Sequence, residues 1–165
     1  RSVFPGFQGG PHEHQIAGIA VALHEAGRPE FKQYAQKVIE NAQTLAAELQ
    51  KLGCALVTNG TDNHLMVLDC VKSFGKDGHV VQELLDRAGI TASKSTIPDD
   101  TNPPYKPSGL RLGTPAMTTR GFGKAEMELT AAWICELAKS GTDESVEKIH
   151  SLVTETCNRF PVPGI

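Results

Sequence analysis

Apolar residues recur at helical spacing ahead of residue 53 and at mixed, shorter spacing after it. Between Pro11 and Gly27, Ile16, Ile19, Ala20 and Leu23 predict a short helix rich in Ala and Gly, with Pro11 in its first turn and Gly27 as its stop. Between Pro29 and Gly53 the stripe Phe31, Tyr34, Ala35, Val38, Ile39, Ala42, Leu45, Ala46, Leu49 and Leu52 predicts a longer helix with one apolar and one polar face. Beyond Gly53 the period changes. "CALVT" (54–58) and "HLMVLDC" (64–70) predict strands separated by the turn-forming "NGTDN", and "KDGHVVQELLDRAG" (76–89) predicts a helix. "ITAS" (90–93) predicts a strand, "TIPDDTNPPYKPSG" (96–109) an ordered Pro-rich loop, and "LRLGT" (110–114) another strand. Two helices follow. Met127, Ala131, Ile134 and Leu137 line the first, from Lys124 to Lys139. Val146, Ile149, Val153, Cys157 and Phe160 line the second, from about Asp143 to a stop at Pro161. The pattern predicts an α+β fold in which one long helix leads into helices packed on a small sheet.

Composition narrows the function classes. At 165 residues the chain is long enough to bury a core, and with 39% hydrophobic residues, 21% charged residues and a net charge of −3 it carries no global field that would recruit nucleic acid or an acidic membrane. No run of eighteen apolar residues predicts a membrane span. Cys54, Cys70, Cys135 and Cys157 are scattered without metal-ligand spacing and read as free thiols of a reducing, cytoplasmic compartment. The chain opens on Arg1 and reads as a segment of a longer protein.

Three stretches can carry chemistry. "QGGP" (8–11) precedes a helix; Gly9 and Gly10 let backbone approach a ligand, and unpaired N–H groups at a helix start favour phosphate, although a plain turn explains the same residues. "SGLRLGTPAMTTRG" (108–121) sets Arg111 among alternating core positions and brings in Arg120. A guanidinium there calls for an anion, and two sources stand open: an internal acidic side chain, or a ligand carboxylate held by paired hydrogen bonds. For Arg120, helix capping or loop stabilisation stands beside ligand contact. "GTDNHLMV" (60–67) offers Asp62, Asn63 and His64, which a turn entering a strand accounts for. His12 and His14, two apart in a first turn, point to different faces and do not chelate one metal; Lys94 reads as a solvated loop lysine.

Taken together, "VFPGFQGGPHEHQIAGIAVALHEA", "EFKQYAQKVIENAQTLAAEL", "NGTDNHLMVLD", "GITASKSTIPDD" and "SGLRLGTPAMTTRG" resemble, in order and spacing, the C-terminal portion of the serine hydroxymethyltransferase family. The resemblance implies a fold-type I enzyme dependent on pyridoxal 5′-phosphate. Such an enzyme moves the serine hydroxymethyl group to tetrahydrofolate, giving glycine and 5,10-methylenetetrahydrofolate, as a homodimer or homotetramer. Residues 1–27 are then the end of the large cofactor domain, 28–52 a bridging helix and 53–165 the small domain. It also implies jobs for individual residues: Arg111 on the substrate carboxylate, Arg120 near the substrate, Gly9 and Gly10 at the cofactor phosphate, and Phe4 and Ser95 at the folate pocket.

Two departures qualify the implied function. The family's Schiff-base lysine lies upstream of "VFPG" and is absent here, so no catalytic residue is assigned and the segment alone is expected to be inactive, needing the N-terminal cofactor domain as its partner. Where the family commonly has Asn-Lys-Asn, this chain has Ser93-Lys94-Ser95, and Ser95 lacks the amide's paired donor and acceptor. That change keeps a folate-independent hydroxy-amino-acid aldolase as an alternative, and the missing lysine keeps a non-catalytic binding or scaffold module. With its first helix normally covered by the cofactor domain, the isolated chain is expected to be poorly soluble.

Overall fold

The computed structural model of the chain describes residues 1–164 and packs as two units, Arg1–Ala35 and Gln36 onward. The first unit opens on an irregular turn, Ser2–Phe7, broken by extended backbone at Phe4. Helix α1 follows, Glu13–Ala26. It begins later than the sequence predicts, because the first helical N–H groups, those of Gln15 and Ile16, bond to the His12 carbonyl and leave Pro11 outside the first turn. No side chain of α1 is buried; Ile16, Ile19, Val21 and Leu23 are each 57–68% exposed.

Helix α2 runs Pro29–Lys51, as its stripe predicts, and its buried side chains begin at Val38, inside the second unit. There Ala42, Leu45, Ala46 and Leu49 join the core. Four strands, β1 (Ala55–Leu56), β2 (Leu65–Asp69), β3 (Ser93–Ser95) and β4 (Gly109–Gly113), pair antiparallel in the order β1-β2-β4-β3. The remaining helices are α3 (Cys70–Phe74), α4 (Gly78–Arg87), α5 (Pro115–Thr119), α6 (Lys124–Ser140) and α7 (Asp143–Arg159). Met66 and Leu68 of β2 and Leu110 and Leu112 of β4 turn inward onto Val81, Leu85, Ile134, Leu137 and Ile149. Leu65, Val67, Asp69 and Arg111 take the alternate positions on the opposite face.

Local chemistry explains where the strands depart from expectation. β1 ends at Leu56 because Thr58, Asn59 and Gly60 all take positive φ (63°, 56° and 143°), which no strand tolerates. β3 starts at Ser93, three residues past the predicted Ile90. Gly89, at φ +80°, and Ile90 close the end of α4, their N–H groups bonding to the Asp86 and Leu85 carbonyls. α3 and α5 are too short to show a period. Asp69 and Pro115 start them: the Asp69 carboxylate accepts the Lys72 N–H at 2.9 Å, and Pro115 sits at the first helical position.

A buried polar network ties α2 to the segment just after β4. Asn41, 1% exposed, donates from Nδ2 to Thr118 Oγ1 (2.9 Å) and to the Phe122 carbonyl (3.0 Å). Thr118 donates onward to the Thr114 carbonyl (2.8 Å), and Thr114 donates to the Val38 carbonyl (2.8 Å). Truncating Asn41 strands two acceptors that water cannot easily reach. Asn41→Ala is therefore expected to lower stability by about 1–3 kcal/mol, read as a fall in denaturant midpoint, while Gln36→Ala on the exposed face of α2 changes it little.

Candidate functional site

Arg111 sits at the centre of β4, which is paired on one side with β2 and on the other with β3. Antiparallel register places it directly opposite Val67 of β2 and Ser93 of β3, so all three side chains occupy one row of the outward face. Its neighbours Leu110 and Leu112 are anchored in the core, which fixes the strand's rotation and keeps the guanidinium out. Arg111 is exposed, and its guanidinium makes no hydrogen bond or ion pair among the described residues. Asp69, the acidic residue on the same face of β2, is held by its cap of α3. Of the two anion sources open in the sequence, an internal acidic partner is therefore absent among the described residues.

Around Arg111 lies a shallow depression lined by His64, Leu65, Thr91, Ala92, Ser93, Leu112 and Gly113. Ser95 is two positions along β3, opposite Gly109, and donates to the Thr96 carbonyl at 3.2 Å. A side chain at Gly109 would collide with the Ser95 carbonyl and the Ile97 side chain, which is why β3 and β4 can lie so close there. From the sheet's outer edge Gln82 of α4 holds β3, its Oε1 accepting the Lys94 N–H at 3.0 Å. His64 contributes its carbonyl to the Thr114 N–H (3.1 Å), and the Asn63 side chain accepts the Leu65 N–H (2.9 Å), so "TDNH" is turn structure entering β2. Ser93 and His64 were not singled out in the sequence as neighbours of Arg111. Their signal lies in the strand register, which the predicted position of β3 misplaces.

Arg120 is engaged elsewhere. Its Nε donates to the Phe160 carbonyl (2.7 Å) and its Nη2 to the Cys157 carbonyl (2.9 Å), so it caps the last turn of α7, where a cation opposes the negative end of the helix dipole. It does not line the depression around Arg111. In the first unit, Phe4 is 64% exposed, and Gly9 and Gly10 are exposed with amides that donate to nothing among the described residues. Neither glycine has a positive φ, and an added Cβ at either would meet nothing within 4 Å. Neither packing nor backbone conformation within the chain requires glycine at these positions. His12 and His14 lie edge to face with ring centres 6.1 Å apart, and no group of acids, histidines and cysteines suited to a metal ion occurs among the described residues. Nor is any described helix long and apolar enough to cross a membrane.

Comparison with known proteins decides the family. The model of the family described as serine hydroxymethyltransferase matches residues 1–134. The chain is 49% identical over 166 residues to a serine hydroxymethyltransferase of Sorangium cellulosum, covering all of this chain and 39% of that protein. It is 50% identical over 165 residues to the Acidobacterium capsulatum protein of that name (99% of this chain, 38% of the relative) and 51% over 168 residues to the Jannaschia sp. one (98% and 38%). The chain belongs to the serine hydroxymethyltransferase family. It spans about two-fifths of the length of these relatives and corresponds to their C-terminal part. Within this family segment, Arg111 falls on the outward face of an α+β unit built on a four-stranded antiparallel sheet.

The Pro-rich loop that borders β3 and β4 is fastened by one carboxylate. Asp100 accepts from the Ser108 hydroxyl (2.7 Å) and amide (3.0 Å), the Asn102 amide (3.0 Å) and the Ile97 amide (3.3 Å). These donors, the Ser108 hydroxyl foremost, favour the ionised form and hold its pKa at about 2, below the ordinary 3.8. A depressed carboxyl pKa means the fastening is complete above the ordinary value and is lost as pH falls through the depressed one. Hydrogen-exchange protection of the Ser108 and Asn102 amides is expected to hold at pH 5 and to fall between about pH 4 and pH 2. Protection unchanged over that range would contradict the role given to Asp100.

Proposed function

We propose that the chain is the substrate-gripping part of a complete serine hydroxymethyltransferase, and that Arg111 clasps the α-carboxylate of serine or glycine. The observation that carries the reading is an unpaired guanidinium fixed on a strand whose flanking residues are locked in the core. A planar guanidinium meets a carboxylate through two parallel charge-assisted hydrogen bonds, which set both position and orientation. Ser93 and Ser95, on the same face, border the grip, and Ser95 faces the folate. Arg120 contributes by holding the end of α7 in place, with substrate contact as a further role in the assembled enzyme.

The rest of the protein supplies the large fold-type I domain, with residues 1–27 as its final stretch, residues 28–52 as the bridge and residues 53–165 as the small domain. Pyridoxal 5′-phosphate supplies the electron sink that makes cleavage at the amino acid's α-carbon possible. Gly9 and Gly10 suit its phosphate: their amides are unpaired, they lie just ahead of α1, and nothing within the chain demands glycine there. Phe4 borders the folate site. The Schiff-base lysine lies upstream, so residues 1–165 alone are inactive, and the active assembly is a homodimer or homotetramer. This chain's own part is positioning, since a carboxylate pinned at Arg111 limits how the substrate's breaking bond can lie.

Ser95 favours a second reading, a hydroxy-amino-acid aldolase that works without folate, because serine offers less to a pterin edge than an amide does. Stimulation of serine cleavage by tetrahydrofolate in the complete protein selects the transferase. The grip itself is tested by Arg111→Ala in the complete protein. Losing one partner of a charge-assisted pair costs about 2–5 kcal/mol, so serine binding is expected to weaken by at least about 30-fold while pyridoxal phosphate is retained. Equal serine affinity in variant and parent would refute the assignment.

A further inference from the structure

Cys54 and Cys135 face each other where the end of α2 meets α6. Gly53, at φ +88°, turns the chain out of α2, and the Cys54 amide donates back to the Leu49 carbonyl at 3.0 Å, fixing where its side chain emerges. Cys135 lies among the inward residues of α6, beside Ile134 and Ala138. The two sulfurs are 3.2 Å apart, so a closure of about 1 Å brings them to bonding distance. Both cysteines are buried, at 6% and 3% exposure; Cys70 is fully buried, and Cys157 has no sulfur neighbour among the described residues.

The surroundings set the two thiols apart chemically. The two thiols share a hydrogen bond in which either sulfur can donate; that pairing holds the Cys135 thiol below its usual range and, together with burial, pushes Cys54 up. Lys139, one turn on from Cys135, donates to the Leu52 carbonyl at 3.2 Å, and its charge favours a thiolate at either sulfur. Cys70, pushed up to about 12 by burial, is the unreactive contrast.

We propose that Cys54 and Cys135 form an oxidation site, at which a hydroperoxide converts the facing dithiol into a disulfide joining the end of α2 to α6. Cys135 loses its proton, its thiolate attacks one peroxide oxygen, the O–O bond breaks, and the departing oxygen takes up the proton that Cys135 released. Cys135 is then a sulfenic acid. The Cys54 sulfur displaces its hydroxyl, the S–S bond forms, and the hydroxyl leaves with the Cys54 proton as water. The two sulfurs together lose two electrons, which reduce the O–O bond; hydrogen peroxide yields two waters, and an organic hydroperoxide yields an alcohol and a water. A thiol reductant reverses the bond. The proposal does not depend on the reaction the complete enzyme performs.

The test exposes the complete folded protein to hydrogen peroxide in slight excess, alkylates remaining thiols after denaturation, and maps tryptic peptides without reduction. The expected result is a linked pair of peptides, 52–72 with 125–139, and alkylation of only Cys70 and Cys157 among this chain's four cysteines. Fragmentation between Cys54 and Cys70 assigns the bond to Cys54. Cys135→Ala is expected to abolish the link and Cys70→Ala to keep it, but the mapping of the unsubstituted protein decides alone. The proposal is overturned if all four cysteines remain alkylatable, or if the bond runs through Cys70 or Cys157. It is equally overturned if Cys135 advances to a sulfinic acid with Cys54 still alkylatable, or if linkage occurs only when the protein is unfolded first.

Discussion

The pairing of β4 with a neighbour on each side is the constraint from which the rest follows. A strand held at both edges cannot rotate, so burial of Leu110 and Leu112 on one face commits Arg111 to the other. A one-residue slip in register would drive the guanidinium into the core, at a desolvation cost that nothing there would offset. The hydrophobic effect thus does the placing, and the charge is carried where apolar burial puts it. What distinguishes the result from an ordinary exposed arginine is that its strand is immobilised from below while the guanidinium itself has no partner among the described residues.

Supporting polar contacts surround that strand at both ends. Asp100 gathers Ile97, Asn102 and Ser108 at its entry, and Thr114, Thr118 and Asn41 tie its exit to α2. Gln82 holds the edge strand that carries Ser93 and Ser95. These residues narrow the range of positions available to Arg111.

Much of this was legible along the chain. α2, α6 and α7 each carry one continuous apolar stripe, with Pro29 opening α2, Gly141 following α6 and Pro161 beyond α7, and they lie where periodicity predicts them. The in-and-out alternation around Arg111 was equally readable, and it sets the guanidinium on the exposed face rather than in the core. The position of β3 was not, because Ile90 looks like a strand residue until the closing turn of α4 claims its N–H. With β3 displaced, Ser93 could not be placed opposite Arg111. Asn41 was missed for a related reason: a polar residue inside an apolar stripe reads as surface until the fold brings Thr118 and Phe122 against it. The guanidinium of Arg120 was visible as a cation after two threonines, but the carbonyls it caps lie about forty residues further along the chain.

The role proposed for Arg111 reduces to one physical claim, that a cation displayed by a rigid strand holds an amino acid by its acidic end. A crystal structure of the complete protein with glycine bound tests that claim most directly. The account predicts the glycine carboxylate within hydrogen-bonding distance of two guanidinium nitrogens of Arg111. A carboxylate held by other residues, with Arg111 facing solvent or paired with an acidic side chain, would contradict it.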